Sequence, residues 1–403
     1  MILISESANA AGGAEKVALD SAIGLADAGI QVIVFSGSEE VRPDLNRPNL
    51  KVVFSGGKHV RDWPSKVDQL RHGIWNERTA SAMRDILTPL DPAATVVHAH
   101  SYMNIHTPSV LGAVVKAGFA LVVTGHDYGL ACPTLGFYDS RTESICPLRG
   151  LSRACVASKC TGTSYANKLG FVLRSSKMRG KAGLPVGLKH LIAVSEGSGA
   201  ILKPYLPNAT IHLVVNPIDI EKPNDRTRAE ENSEFGFIAR LTPEKDPTFF
   251  VRAASEAGVP AIVLGDGPAK AAAEAANPNA DFWGQVGKAK VDEGIRRMRC
   301  LVMTSRWYEA APLVIQEAHA RGIPVIVPDV CAGKDAVRHG ETGFHYRGGD
   351  LSDLAGKMRE LGDQSLCKTM SENAFSEFWD NAPTMERHVR ELLQVYGEAL
   401  ARR

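Results

Sequence analysis

Short runs of apolar, β-branched residues alternate along the chain with longer segments whose apolar positions recur at helical spacing. The short runs have the length of buried strands, and the longer segments predict amphipathic helices. In the first half the predicted strands are residues 2–5, 31–35, 51–54, 96–99, 120–124, 190–194 and 211–214. In the second half they are residues 234–238, 261–264, 281–283, 300–303 and 324–327. Alternating strands and helices predict parallel sheets with right-handed crossovers.

The alternation starts again near residue 234, after a polar segment that holds almost no apolar residues. Such a segment is typical of an exposed connection between domains. The pattern therefore predicts an α/β protein of two Rossmann-like, doubly wound parallel-sheet domains. The expected parts are a domain of residues 1–215 with an insertion at about 130–188, a domain of residues 216–381, and a C-terminal helix of residues 382–403 that packs back on the first domain.

Composition narrows the class of protein. The 403 residues suit two domains, and 44% hydrophobic with 23% charged residues is typical of a soluble globular protein. The net charge of +1 predicts no nucleic-acid partner. No stretch approaches the ~20 apolar residues of a membrane helix, and the apolar run at residues 1–4 is too short for a signal peptide. We therefore expect a cytoplasmic protein.

A helix with a phosphate-binding start is predicted after the strand 300–303. Pro312 fits the first turn of this helix, which should run to about Arg321 and end at Gly322. A helix N-terminus attracts anions through its unpaired backbone N–H groups and its dipole. Leu313 and Val314 would supply those groups here.

Two glutamates flank this helix start. At helical rise Glu309 and Glu317 would lie about 12 Å apart, too far to hold one atom together. They can instead flank an extended ligand with hydroxyls at both ends and a diphosphate between them, which is the layout of a nucleotide sugar. The alternative is a solvated helix with two surface glutamates.

Glu309 and Glu317, followed by Ala-His-Ala-Arg-Gly-Ile-Pro-Val-Ile, resemble the hallmark of the family 4 retaining glycosyltransferases of the GT-B fold. The resemblance implies two domains that face a central cleft, with Glu309 at the donor-sugar hydroxyls and Glu317 at the ribose hydroxyls. Gly13 begins the first helix in a Gly-Gly-x-Glu turn that is similar to the family's turn over the donor diphosphate. The alternative for Gly13 is a plain tight turn.

The turn with Arg240 and Lys245 resembles the family's Gly-Arg-Leu-x-x-Glu-Lys-Gly sequence, with Ala239 and Asp246 in place of its two glycines. The resemblance implies that both cations reach the diphosphate and stabilise its growing negative charge. Their alternative is exposed cations on a loop.

Two further segments are similar to parts of the family's site. The segment with Gln285 and Val286 resembles the one whose backbone holds the nucleobase. His126 and Asp127 end a strand and resemble a Thr-x-His-Asp segment near the reacting sugar, where His126 could orient a hydroxyl or assist proton movement.

Another strand end supplies two further histidines. His98 and His100 end the strand 96–99, and we expect them on the acceptor side with Asp127. The alternative for each histidine is a structural role in which the ring binds backbone groups.

Four of the seven cysteines fall within the expected insertion, with irregular spacing. Three interpretations stay open: a structural zinc site, thiols of variable redox state, or one or two disulfides. The cysteines are Cys132, Cys146, Cys155 and Cys160.

The segment 159–189 carries seven basic residues and no acidic residue, and apolar side chains interrupt the charges. A segment of this kind can rest on an anionic membrane or bind a phosphorylated lipid acceptor. We expect either peripheral contact with the inner membrane face or a solvated loop.

The combined prediction is a retaining glycosyltransferase that moves a hexose-type sugar from a nucleoside-diphosphate sugar to a glycan or polyprenyl-linked acceptor in cell-surface polysaccharide synthesis. The catalytic residues would be Glu309, His126, Arg240 and Lys245. No cofactor or catalytic metal is expected, since the chain has no Asp-x-Asp sequence. A UDP-sugar is the first expected donor and a GDP-sugar the second. The alternatives are a nucleotide-sugar epimerase and a non-catalytic nucleotide-sugar-binding protein.

Overall fold

The structure is a computed structural model, and it describes residues 1–9 and 12–401. The described residues form fifteen strands and fourteen α-helices. The strands are β1 (Ile2–Ser5), β2 (Val32–Ser36), β3 (Leu50–Phe54), β4 (Val96–Ala99), β5 (Ala120–Gly125), β6 (Tyr138–Asp139), β7 (Ser144–Ile145), β8 (His190–Ala193), β9 (Thr210–Leu213), β10 (Glu234–Ile238), β11 (Ala261–Leu264), β12 (Asp281–Gly284), β13 (Met298–Val302), β14 (Val325–Pro328) and β15 (Gly343–Tyr346). The helices are α1 (Gly13–Asp27), α2 (Lys66–Ile74), α3 (Glu77–Leu87), α4 (Pro108–Lys116), α5 (Arg153–Ala157), α6 (Tyr165–Ala182), α7 (Glu196–Leu202), α8 (Pro247–Ala257), α9 (Lys270–Ala276), α10 (Lys288–Arg297), α11 (Leu313–His319), α12 (Leu351–Glu360), α13 (Gln364–Asp380) and α14 (Met385–Ala401).

The chain divides into two compact units. The first unit comprises Met1–Phe137, Pro147–Pro217 and Pro383–Arg403, and the second comprises Tyr138–Cys146 and Ile218–Ala382. The boundary after Pro217 lies two residues beyond the predicted one. Residues 138–146, which we expected in the insertion of the first domain, pack with the second unit instead.

The first unit is built on a seven-stranded parallel sheet in the order β3-β2-β1-β4-β5-β8-β9. Helices α1 and α14 pack together on this sheet, and Leu19, Leu25, Leu392 and Val395 are buried in their shared core. A Cβ at Gly24 of α1 would lie 2.7 Å from Met385 Sδ, so a glycine allows this close approach of α14.

The second unit has a six-stranded parallel sheet in the order β12-β11-β10-β13-β14-β15. Buried aliphatic and aromatic side chains from β10, β11, β13 and β14 form its core with α8 and α12. In each sheet the strand order reverses once at the centre, between β1 and β4 and between β10 and β13. Open α/β sheets bind ligands outside the carboxyl ends of the strands at such a point.

All twelve predicted strands are present, with ends within two residues of the predicted ones. The fold class of two Rossmann-like parallel-sheet domains is therefore confirmed. The structure adds β15 and the antiparallel hairpin of β6 and β7. Among the residues that the structure describes, no helix is long and apolar enough to cross a membrane.

Candidate active site

Arg240 lies in the turn that follows β10, at the reversal point of the second sheet. A neighbouring turn packs closely against this one and has glycine at two positions, because a side chain at either position would strike the backbone of the Arg240 turn. A Cβ at Gly265 would lie 1.9 Å from Ala239 O, and one at Gly267 would lie 2.4 Å from Leu241 O. The Arg240 side chain is exposed, and no ion pair to it is found in residues 1–9 and 12–401.

Asp246 ends the same turn in a left-handed conformation, with φ of +50°. Aspartate tolerates this conformation better than most residues, which explains how it stands where the family has glycine. Its carboxylate also accepts a hydrogen bond from Phe249 N at 3.1 Å and thereby caps α8. Arg306 Nε lies 2.5 Å from Asp246 Oδ2, yet burial outweighs this ion pair and raises the pKa of Asp246.

Glu309 is buried beside Lys245 in the loop after β13. Three donors converge on its Oε1 atom: Lys245 Nζ, Ser305 Oγ at 2.5 Å and Trp307 Nε1 at 3.1 Å. The Lys245 ammonium also lies 5.5 Å from the centre of the Trp307 ring. Thr304 Oγ1 donates to the Lys245 carbonyl at 2.8 Å and so joins the two loops. The arrangement holds one carboxylate and one ammonium at the carboxyl ends of adjacent strands.

Ser305 and Trp307 had no predicted role, although both stand in the segment between the strand 300–303 and Glu317. Their hydrogen bonds to Glu309 depend on the path of the loop, which leaves no periodic signal in the sequence. Buried Cys331 also lies close to this carboxylate. Burial raises the pKa of the Cys331 thiol to about 12, and the charge of Glu309 adds to the effect.

Helix α11 is shorter at its start than predicted. Pro312 has ψ of 111° and occupies the N-cap position, so the prediction that it lies in the first helical turn was wrong. Leu313 and Val314 are the first two residues of α11 and are partly buried. At the other end Gly322 has φ of +76°, and Ile323 N donates to Ala318 O at 2.9 Å. The helix itself ends at His319 with Ala320 as its C-cap, two residues before the predicted end at Arg321, and the left-handed Gly322 follows.

Glu317 lies one helical turn along α11 from Leu313 and is partly buried. Its carbonyl accepts a hydrogen bond from Arg321 Nη1 at 2.6 Å, and Arg321 Nε donates to Asp292 of α10 at 2.5 Å. Glu309 therefore lies buried in a loop, whereas Glu317 lies partly buried on a helix.

Gln285 and Val286 follow β12, next in the chain to the start of α10. Gln285 is exposed, whereas Val286 is partly buried against the core of the second unit. Gly265 N donates to Gly284 O at 2.8 Å, so this segment is joined to the turn that braces Arg240.

The first unit contains a cavity of about 160 Å³ at the carboxyl ends of β1, β4 and β5. His100, His126 and Asp127 line it, together with Ala14 and Glu15 of α1. His100 Nδ1 and His126 Nε2 are 2.9 Å apart. Burial lowers the pKa of His100 well below its usual value and lowers the pKa of His126 to about 4. Both rings are therefore neutral near pH 7 and act as hydrogen-bonding groups rather than as cations.

His98 does not line this cavity. Its ring lies tilted against that of His100, with 4.1 Å between ring centres, and both of its nitrogens have protein partners at 2.7 Å, Tyr396 Oη and Thr124 Oγ1. Its expected place on the acceptor side is thus corrected to a structural role in which it binds α14 to the sheet.

The sequence indicated no role in the cavity region for two charged residues, Glu6 and Arg174. The Glu6 carboxylate lines the cavity and accepts hydrogen bonds from Asn104 N and from Ile105 N at 2.8 Å; burial raises the pKa of Glu6 to about 7. Buried Arg174 of α6 donates to Met103 O at 3.0 Å. Glu6 could have been noticed as a carboxylate at a strand end, but nothing in the sequence distinguishes Arg174 from the exposed cations around it.

Gly13 is the first residue of α1 and is exposed. A Cβ there would meet nothing within 4 Å, so the space beside this helix start is open. Ala10 and Ala11, which precede the Gly-Gly turn, lie outside the described residues.

Among the described residues, the four cysteines of the expected insertion form neither a disulfide nor a zinc site. None of the chain's seven cysteines is in a disulfide. Lys168 lies among the sulfur atoms, with Nζ 3.1 Å from Cys160 Sγ and 3.8 Å from Cys155 Sγ. No group of three or more metal-binding side chains occurs in residues 1–9 and 12–401, so the zinc interpretation has no site there. Cys132 is buried in the first unit, and Cys146 belongs to the second.

Comparison with known proteins identifies the class. Residues 11–222 match the family model "Glycosyltransferase Family 4", and residues 219–377 match "Glycosyl transferases group 1". The first match covers more than half of the chain. The chain therefore belongs to glycosyltransferase family 4, and the predicted family is confirmed.

Individual relatives are more distant. A GDP-mannose-dependent alpha-mannosyltransferase of Mycobacterium tuberculosis is 33% identical over 109 residues, which is 27% of this chain and 29% of that protein. The chain thus aligns with well under two thirds of this curated relative's length.

Solved structures match over nearly the whole chain. HepE of Anabaena in complex with UDP has a TM-score of 0.64 and 17% identity, covering 98% of this chain and 99% of its own. Sucrose-phosphate synthase of Thermosynechococcus elongatus has a TM-score of 0.73 and 16% identity, covering 99% and 98%. At such identities the likeness shows the fold alone, which is the predicted GT-B fold.

Proposed function

We propose that this chain is a retaining glycosyltransferase that moves a hexose-type sugar from a nucleoside-diphosphate sugar to a glycan or lipid-linked acceptor in cell-surface polysaccharide synthesis. The observation that carries the proposal is the buried Glu309 carboxylate, held by Lys245, Ser305 and Trp307 at the reversal point of the second sheet. A buried carboxylate beside an ammonium suits a ligand that carries sugar hydroxyls and a diphosphate in sequence.

Each group of the second unit would act on a different part of the donor. Glu309 accepts hydrogen bonds from sugar hydroxyls, and Glu317 from those of the ribose. Lys245, Arg240 and the backbone N–H groups of Leu313 and Val314 neutralise the diphosphate, and Gly13 is proposed as a further donor-binding residue. The backbone of Gln285 and Val286 holds the base. Protein groups fill all of these roles, and no catalytic metal is proposed.

In the first unit, His126 would orient a hydroxyl as a neutral ring, with His100 fixing its tautomer through the 2.9 Å contact. The acceptor hydroxyl would attack the anomeric carbon on the face that the diphosphate leaves, and the leaving phosphate would take the proton. Arg240 and Lys245 would stabilise the charge that develops on that phosphate. A product with inverted anomeric configuration would refute this mechanism.

The nucleobase of the donor is a separate part of the proposed function. The Anabaena structure was determined with UDP, whereas the Mycobacterium relative is named GDP-mannose-dependent. We propose a UDP-sugar first and a GDP-sugar second, used by an enzyme in the cytoplasm.

The proposal is tested by thermal unfolding of the full chain with saturating UDP, GDP or ADP and no added metal. One nucleotide should raise the melting temperature of the wild type. Lys245→Ala should weaken this binding by roughly tenfold to a hundredfold, because a hydrogen bond to a charged group is lost.

Lys357→Ala is the matched control. The side chains of Lys357 and Lys245 are 23% and 22% exposed, and each pairs with a glutamate and lies over an aromatic ring. The control should keep the nucleotide-induced shift. Absence of any shift with the wild type, or an equal loss in both variants, would contradict a diphosphate site at Lys245.

A further inference from the structure

Helices α2 and α6 expose apolar side chains on the surface of the first unit. Val67 and Leu70 of α2 are 74% and 51% exposed. Tyr165, Leu169 and Leu173 of α6 are 36%, 37% and 49% exposed. These five residues are called the α2–α6 patch.

The patch is continuous across both helices. Tyr165, Leu169 and Leu173 are four residues apart, so they form one ridge along α6. Leu70 Cδ1 would lie 3.4 Å from a Cβ on Gly170, which places this α2 side chain against α6 beside the ridge. Adjoining exposed apolar side chains mark interaction sites more often than scattered ones do.

Positive charge surrounds the patch. Helix α6 carries five basic residues and no acidic one, in a chain whose net charge is only +1. Lys168 and Arg174 are buried and cannot meet a partner. Lys177, Arg179 and Lys181 are exposed, and Lys177 and Lys181 continue the spacing of the apolar ridge.

Helix α2 adds to this charge. Lys66 and Arg71 are exposed on either side of Val67 and Leu70. The one acidic residue of α2, Asp68, accepts a hydrogen bond at 2.6 Å from Ser65 Oγ just before the helix. Apolar side chains with a cationic border suit the boundary between the headgroups and acyl chains of an anionic bilayer.

We propose that the α2–α6 patch docks on the surface of an anionic lipid bilayer, with its five apolar side chains among the acyl chains and its cations at the headgroups. A second copy of this chain fits less well, because an isologous contact would bring two cationic α6 helices together. The proposal goes beyond sugar transfer, and docking requires no donor or catalysis. It can therefore fail or succeed independently of the proposed activity.

The test is co-sedimentation of the full chain with vesicles of phosphatidylglycerol and phosphatidylcholine, compared with vesicles of phosphatidylcholine alone. The wild type should bind only the anionic vesicles, and added salt should weaken the binding. Lys177→Glu/Arg179→Glu should reduce the affinity by more than roughly tenfold, since each cation near the surface contributes about fivefold. Leu169→Gln/Leu173→Gln should reduce it at unchanged charge.

Matched controls come from exposed residues outside the patch. Arg228→Glu/Lys368→Glu changes the net charge equally, and Val186→Gln/Leu213→Gln removes two side chains that are 53% and 48% exposed. Both controls should bind like the wild type, and the melting temperature of each variant checks its folding. Failure of the wild type to bind, or equal losses in patch and control variants, overturns the proposal. So does a patch variant that binds vesicles normally but converts a dimer to a monomer, since a second copy would then be the occupant.

Discussion

At the scale of single residues, the candidate site depends on contacts between side chains that are far apart in the sequence. Lys245 and Glu309 were each predicted as site residues, but their ion pair was not. Their loops follow neighbouring strands, β10 and β13, whose adjacency is a property of the sheet. The sequence could therefore indicate the residue types and not the pair.

Glu309→Gln is expected to lower kcat/KM by roughly a hundredfold to a thousandfold, because the amide keeps the shape of the carboxylate but loses its charge. Lys245 would also lose its ionic partner. The measurement is steady-state transfer of sugar from the donor that thermal unfolding identifies.

Glu230→Gln serves as the control for this variant. The side chains of Glu230 and Glu309 are both 8% exposed, and Glu230 pairs with Arg226, which has no proposed role in donor binding. It should lose stability and keep activity. If Glu309→Gln retained wild-type kcat/KM, the donor role of Glu309 would be wrong.

Residues of the same type can differ in burial and therefore in role, as the histidines and the basic residues show. His98 and His100 stand two positions apart, yet His98 is held by Tyr396 and Thr124 while His100 lines a cavity. Lys168 and Arg174 were counted with the exposed cations of their segment, and both are buried. Formal charge can be read from a sequence, but exposure depends on the packing of several elements.

At the scale of elements, the turn after β10 is shaped by a second turn after β11. Gly265 has φ of +136° and no room for a side chain beside Ala239 O. Leu241 N also donates to Asp266 O at 2.9 Å. The two turns therefore act as one rigid support for Arg240.

Gly265→Ala should destabilise the protein by at least about 3 kcal/mol, from backbone strain and overlap together. Nucleotide affinity should fall as well, because the displaced backbone of Ala239 adjoins Arg240. Urea unfolding and calorimetric titration of the nucleotide measure the two effects.

Gly258→Ala is the control, because it introduces backbone strain without steric overlap. Gly258 also has positive φ, +71°, but its Cβ would meet nothing within 4 Å. Gly258→Ala should lower the free energy of unfolding by only about 1–2 kcal/mol and leave nucleotide affinity unchanged. Equal affinities in the two variants would show that the paired turns do not support the site.

At the scale of the whole molecule, both units contain segments from separate parts of the chain. Helix α14 follows the second unit in sequence and belongs to the first, where His388 Nε2 lies 2.9 Å from Ser21 Oγ. Residues 138–146 interrupt the first unit and belong to the second, where Glu143 pairs with Arg306 at 3.2 Å.

Hydrogen exchange of the full chain should locate nucleotide binding in the second unit. The bound nucleotide should slow exchange in residues 239–246, 284–287 and 305–314, since a ligand that binds the folded state opposes local opening. Exchange in β8 and β9 of the first unit should change little. Protection confined to the first unit would contradict the assignment of donor binding to the second.

The sequence by itself determined the α/β class, the twelve main strands and the residue types of the candidate site. These follow from local causes: hydrophobic periodicity, turn residues, and a charged or glycine residue at a strand end. Only the tertiary structure decided which of those residues meet. The contact of Lys245, Ser305 and Trp307 with Glu309, the burial of Lys168 and Arg174, and the assignment of residues 138–146 to the second unit all depend on strand order and packing. Those properties join distant parts of the chain and leave no local pattern in the sequence.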